Sequence, residues 1–252
     1  MEHLELVQTA VAQALGMGAA IQERAPLGYQ SNLLFDVWQN GRHYIAKQFL
    51  KVDEQFDAPR REFAALQLLA PLDVAPQPVF YDPALGPVVI YEFLEGTMWD
   101  RTPPTAVQLN QLANLTITLN NLPTENLWLA RGMERTMQDV SAMFHSNISR
   151  YERWAANNFA PGLAAAKRCQ ALLARLPAIF ETFRQLPPPP LLFCRSDPRF
   201  ANVIQRPNGR LGLVDWEDCG LRDPARDVAD LLTHPNQEDL LMEKEWGAFL
   251  RP

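Results

Sequence analysis

Asp197 and Asn202 stand with four residues between them in Cys194-Arg195-Ser196-Asp197-Pro198-Arg199-Phe200-Ala201-Asn202, and Asp215 follows thirteen residues after Asn202. Two carboxylates and an amide are the residue types that phosphoryl transfer uses. One carboxylate meets the proton of an attacking hydroxyl, while an amide oxygen and a second carboxylate hold a hard cation against phosphates. A tight loop running into a hairpin would bring Asn202 and Asp215 to neighbouring strand ends, where they can share that cation. The plain alternative is a solvated, acidic turn.

A second pair lies far upstream. On a strand, Lys47 shares its face with Ile45 and Phe49, because side chains alternate with period two. A lysine in that setting either snorkels at a sheet edge or points into a cleft. Fifteen residues later Glu62 shares a helical face with Leu66 and Leu69, and a carboxylate on an apolar face needs a partner to be tolerated there. Ahead of both, Pro26-Leu27-Gly28-Tyr29-Gln30-Ser31-Asn32 offers Gly28, Ser31 and Asn32 as donors suited to phosphate. No Gly-x-x-x-x-Gly-Lys-Ser/Thr segment occurs, so a Walker-type loop is unsupported.

The elements that must position these residues follow from periodicity. Leu4, Leu6, Val7, Val11 and Leu15 mark an amphipathic helix over residues 4–15. Strands are expected over residues 33–38 and 43–49, joined at Asn40-Gly41, a pair that accepts the positive φ of a type I′ turn. A helix over residues 58–70 and a buried strand over residues 87–94 complete a small β-rich lobe. Beyond Gly96 the spacing turns helical, with one helix through residues 107–122, another through residues 137–154, and a third from about residue 163 to 185 that stops at Pro187. A second hairpin is expected over residues 202–206 and 211–215 across Asn208-Gly209.

Here the chain resembles the aminoglycoside phosphotransferase and choline kinase family. That family carries His-Gly-Asp, four residues, Asn, then Ile-Asp-Trp/Phe-Glu and a Gly-Asp-Pro…Asp-Leu-Ala tail. This chain has Asp197, Asn202, Asp215-Trp216-Glu217 and Gly220-Leu221-Arg222-Asp223-Pro224-Ala225-Arg226-Asp227-Val228-Ala229. The resemblance spans about residues 20 to 235. It implies an α+β, two-lobed protein-kinase-like fold, with an N-lobe over residues 1–94 and a larger, mainly helical C-lobe over residues 95–252. It implies ATP and Mg²⁺ as cofactors, with Asp197 as catalytic base and Asn202 and Asp215 as metal ligands. Lys47 would grip the nucleotide phosphates, positioned by Glu62, with Ser31 and Asn32 covering them. Tyr91-Glu92-Phe93-Leu94 resembles the hinge that offers backbone groups to adenine, which places Glu92 and Phe93 in the nucleotide site.

The chain departs from the family pattern at Arg195-Ser196, which replace His-Gly. The family histidine braces the loop, so this change bears on loop geometry. Glu217, Asp218 and Asp223 would form an acidic wall suited to a cationic acceptor, while Asp223 and Asp227 read best as structural residues around a helix starting at Pro224. Family members generally run on for several helices after this segment. Here about twenty residues follow Leu232, so the C-lobe reads as shortened and the acceptor half as open.

Composition sets the outer bounds. Of 252 residues, 47% are hydrophobic and 21% charged, as in an ordinary globular protein. A net charge of −6 disfavours nucleic-acid binding, which wants a basic face. No apolar run is long enough for a membrane span, and the acidic start is unlike a secretory signal. Cys169, Cys194 and Cys219 are an odd, unpatterned set, read as cytoplasmic thiols. The expectation is a small-molecule kinase acting on a hydroxyl acceptor such as an aminoglycoside, choline, ethanolamine or a related amino alcohol, with the oligomeric state left open. The alternative is a non-catalytic nucleotide-binding or scaffold member. A protein-directed kinase is disfavoured by the lack of an Ala-Pro-Glu segment and a long activation segment.

Overall fold

The computed structural model describes residues 2–25, 32–53, 56–99, 102–133, 137–237 and 239–251. It divides into two compact units, Met1–Arg131 with Leu191–Pro252, and Gly132–Pro190. In the first unit, strands β1 (Ala20–Glu23), β2 (Asn32–Gln39), β3 (Arg42–Phe49), β4 (Pro78–Tyr81) and β5 (Val88–Glu92) form an antiparallel sheet in the order β1-β2-β3-β5-β4. Asn40 and Gly41 both take positive φ, 52° and 75°. That is the geometry a two-residue turn needs to match strand twist, and it sets Gln39 opposite Arg42.

The pleat of this sheet sorts its side chains into two cores. Phe35, Val37, Tyr44, Ala46, Val88 and Ile90 pack with Val7, Ala10 and Val11 of helix α1 (Glu2–Leu15). On the other face Ile45, Phe49, Val89 and Tyr91 pack with Ala65, Leu66 and Leu69 of helix α2 (Ala58–Leu69). Leu66 and Leu69 are fully buried, each contributing about 2 kcal/mol of transfer free energy. Asp57 caps α2 by accepting from the Arg60 amide, with Pro59 in the first turn. Since α2 covers the face that carries Ile45 and Phe49, Lys47 points at it as well.

Past strand β6 (Thr97–Met98), helix α3 (Ala106–Asn120) opens on a capping box between Thr105 and Gln108. The second unit, taken by itself, holds helices α4 (Met137–Asn158), α5 (Ala160–Leu173) and α6 (Leu176–Arg184). Helices α4 and α5 pack closely enough at Gly162 that a Cβ there would lie 2.6 Å from the Tyr151 hydroxyl. The single helix expected to run to about residue 185 is broken after Leu173. Pro177 explains the break: in a continuous helix its ring would meet the carbonyl of Leu173, and it offers no N–H. It sits instead in the first turn of α6.

The chain returns to the first unit with β7 (Leu192–Cys194), β8 (Val203–Gln205), β9 (Leu211–Leu213) and β10 (Gly220–Arg222). Strands β8 and β9 form the second expected hairpin, and β6 pairs onto β8. This loop has three residues between Arg206 and Arg210, with Gly209 alone at positive φ, 80°; it is the bulged form of hairpin rather than the two-residue form. Strand β7 pairs with β10. Helix α7 (Pro224–Thr233) starts from Asp223, which accepts from the Ala225 amide at 2.9 Å. Helix α8 (Trp246–Leu250) sends Phe249 into the main core, joined by Leu241 just before it, while Leu250 stays half exposed.

Candidate active site

Lys47 is the centre of the site. Its Nζ lies 2.6 Å from Glu62 Oε2, 2.6 Å from Asp215 Oδ1 and 3.1 Å from Glu217 Oε2. Its side chain is only 5% exposed. Burial works against the charged amine, yet the Asp215, Glu62 and Glu217 carboxylates outweigh it and hold the Lys47 ammonium well above its ordinary range. Burial pushes Glu62 up to about 7 despite the neighbouring ammonium. Burial also pushes Asp215 up, but Lys47 reverses this through charge and hydrogen bond, aided by Arg199 and Arg195, and the carboxyl ends below its usual range. Glu217 ends above its usual range because burial prevails there.

Asn32, the first residue of β2, donates from Nδ2 to Glu217 Oε2 at 2.6 Å. The expected phosphate-covering residues are thus represented here by Asn32. Ser31 and the rest of residues 26–31 lie outside the described residues.

The loop between β7 and β8 carries the rest. Asn202 Nδ2 donates to both the main-chain oxygen and Oδ2 of Asp197, each at 3.3 Å. Arg199 NH2 sits 2.5 Å from Asp197 Oδ2 and 3.7 Å from Asp215 Oδ2. Two backbone positions are in the left-handed region, Ser196 at φ 66° and Asp215 at φ 65°. Both are costly for residues with a Cβ and are held by their surroundings.

The surroundings that hold Ser196 are visible. Asp227, 6% exposed, accepts from the amides of Arg195 (2.8 Å) and Ser196 (3.1 Å) and pairs with Arg222 at 3.1 Å. Arg195, also buried, donates from NH2 to the carbonyls of Val214 at 3.0 Å and Asn202 at 3.4 Å. One guanidinium therefore joins the loop that bears Asn202 to the strand end that bears Asp215. The two N–H groups of that one terminal nitrogen reach both carbonyls.

These residues open on a cavity of about 390 Å³ lined by Lys47, Asn202 and Asp215 on its polar side and by Leu34, Ile45, Tyr91, Phe93, Leu94 and Ile204 on its apolar side. Phe93 stacks on His43 at 4.1 Å between ring centres and lies 5.1 Å from the Arg24 guanidinium. Its amide donates to the His43 carbonyl, and that of Glu92 to the Gln77 carbonyl. The next residue along, Leu94, is the one whose amide has no such partner among the described residues.

Most of the residues singled out in the sequence are brought together: Lys47, Glu62, Asn32, Phe93, Asp197, Asn202, Asp215 and Glu217. The Glu92 side chain points away from the cavity, 3.8 Å from Arg42; the expectation for this residue concerned its backbone. Glu217 lies 3.1 Å from Lys47, and Asp218 pairs with Arg131 at 3.1 Å. Arg199 was missed, although a cationic residue two positions after Asp197 was there to be read.

A model of the phosphotransferase enzyme family matches residues 23–251. No curated protein matches. Among solved structures, the choline kinase LicA from Streptococcus pneumoniae is 19% identical with a TM-score of 0.67, over 99% of this chain and 79% of that one. Spectinomycin phosphotransferase APH(9)-Ia, solved with ADP and spectinomycin, is 14% identical with a TM-score of 0.69, over 97% and 78%. The Plasmodium vivax ethanolamine kinase is 14% identical with a TM-score of 0.59, over 92% and 66%. At such identities the likeness speaks to the fold, an α+β kinase-like fold with an antiparallel-sheet N-lobe and a helical region. The family match covers nearly the whole chain, and the chain belongs to the phosphotransferase enzyme family.

Proposed function

We propose that this chain transfers the γ-phosphoryl group of ATP, with Mg²⁺, to a hydroxyl of a small molecule, an aminoglycoside, choline, ethanolamine or related amino alcohol. The observation that carries the reading is the bonding of Lys47 to both Glu62 and Asp215, on the wall of one cavity whose other polar wall is the Asp197–Asn202 loop. The solved relatives named above include kinases of choline and ethanolamine and a phosphotransferase holding ADP.

Each residue then has a task. Lys47, kept charged by its carboxylates, binds nucleotide phosphates, and Glu62 fixes its direction. Phe93 and Tyr91 offer an apolar slot for a base, with the Leu94 amide as donor at its edge. Asp197 orients the acceptor hydroxyl and takes its proton on Oδ as the oxygen attacks. The donor set fits Mg²⁺. Asp215 Oδ2 and the Asn202 amide oxygen are hard ligands, and oxygens of Glu62, Asp215 and Glu217 lie within 4.8 Å of one another. Mg²⁺ held by Asp215 and Asn202 would supply neutralisation of phosphate charge.

Arg195 in place of the resembled family's histidine is one feature that would favour a non-catalytic member. Its bonds to the Val214 and Asn202 carbonyls favour a braced loop instead. No helix among the described residues is long and apolar enough to cross a membrane. The test is Mg²⁺-ATP turnover by the purified chain over a panel of small hydroxyl compounds and, in parallel, protein substrates. Phosphorylation of a small alcohol, abolished by Asp197→Asn, is the expected result. Transfer to proteins alone, or transfer indifferent to Asp197→Asn, would count against the reading.

A further inference from the structure

Arg199 is a cation of this site to which the functional reading assigns no role. Its guanidinium spans Asp197 Oδ2, at 2.5 Å, and Asp215 Oδ2, at 3.7 Å. It lines the same cavity as Lys47. Its Nε is buried without a hydrogen-bond partner, so the head group is held by its two carboxylates rather than by a fixed scaffold. Lys47 takes the other oxygen of Asp215, Oδ1. Asp215 therefore has one oxygen committed to Lys47, and its other oxygen faces Arg199.

Two like charges cannot share that second oxygen cheaply, since at a few ångströms they repel strongly wherever water is scarce. A divalent cation arriving at Oδ2 must displace the guanidinium. The displaced head group needs another anion, and the nearest new one is the phosphate that the cation brings. We propose that Arg199 is a further binding residue of this site: the counter-cation of Asp197 and Asp215 in the nucleotide-free protein, which gives up Asp215 to the metal and pairs with the terminal phosphate of a nucleoside triphosphate. This rests on the phosphotransferase reading and adds to it a residue that separates triphosphate from diphosphate.

The test uses the full chain, its Arg199→Ala form and its Arg199→Lys form. Mn²⁺ alone is titrated into nucleotide-free protein and followed by the electron-spin signal of free Mn²⁺. Removing the competing charge should tighten Mn²⁺ binding by about fivefold in Arg199→Ala. Calorimetry with ATP and with ADP, both at saturating Mg²⁺, reads the second half. The alanine form should lose about tenfold in ATP affinity with ADP little changed, and Arg199→Lys should recover part of it. Should the alanine form not fold, as judged by circular dichroism, Arg199→Gln carries the same expectations. Equal Mn²⁺ affinity in the parent and the neutral variant, or equal weakening of ATP and ADP, overturns the proposal. The two readings fail separately, because a parent that binds no nucleotide at all sinks the phosphotransferase reading, whereas the Mn²⁺ comparison addresses Arg199 alone.

Discussion

Lys47 Nζ lies 2.6 Å from Asp215 Oδ1, a bond between residues 168 positions apart in the chain. It joins the β3 strand of the sheet to the end of the β8–β9 hairpin, and Glu62 reaches the same nitrogen from α2. Three elements thus converge on one ammonium. Replacing it leaves Glu62, 1% exposed, without a partner. Lys47→Met should cost about 3 kcal/mol in urea denaturation and abolish nucleotide binding. Adding Glu62→Gln should return much of the stability but none of the binding. Full stability in Lys47→Met alone would show that the pair is not what holds the carboxylate there.

Asp197 and Asp215 are both carboxylates of one cavity, yet they should fail differently. Asp197→Asn keeps the shape and loses the proton acceptor, so turnover should fall by a factor of about a hundred or more with ATP affinity nearly intact. Asp215→Asn should weaken the metal–nucleotide complex itself. Parallel calorimetry and kinetics on the two variants decide this, and matching behaviour would mean the roles are misassigned.

Arg195 bonds across the loop at a position where the resembled family carries histidine. Arg195→Ala removes the donor that the Val214 and Asn202 carbonyls share, at a cost of about 1–3 kcal/mol. Thermal melting should show that loss, and turnover should drop less than in Asp197→Asn. The opposite ranking of activities would place Arg195 on substrate.

Glu62 makes stability depend on pH. Burial raises its carboxyl from an ordinary 4.5 to about 7. The folded chain therefore binds more protons than the unfolded chain between those values, and the stability Glu62 contributes at low pH is lost as pH rises through about 7. Melting temperatures of the parent and Glu62→Gln between about pH 5 and pH 8 should diverge, the parent falling relative to the variant. Parallel curves would show that Glu62 keeps its ordinary value.

Much of this was legible in the chain itself. Asn40-Gly41 announces its hairpin because few residue pairs accept two positive φ angles, and that hairpin sets which face Lys47 occupies. The alternation that put Lys47 beside Ile45 and Phe49 also predicts that the Glu92 side chain faces away from that of Tyr91, as found. The break at Pro177 was equally readable, since proline inside a helix has a known cost. Strands β1 and β4 were not readable: each has four residues, too few for alternation to register. Nor was the direction of Glu217 readable, because Asn32 and Lys47, far away in sequence, select it. Ser196 is the clearest case. Its φ of 66° suits the glycine found there in the resembled family, yet only the buried Asp227 that receives its amide explains how serine is held in place.

The most direct measurement is a calorimetric titration of ATP into the purified chain with and without Mg²⁺, repeated on Asp215→Asn. Saturable binding that needs Mg²⁺ in the parent and fades in Asp215→Asn is the expected result. No Mg²⁺-dependent nucleotide binding even at about millimolar ATP, an affinity near −4 kcal/mol, would contradict the claim that Lys47, Asn202 and Asp215 form a metal–nucleotide site.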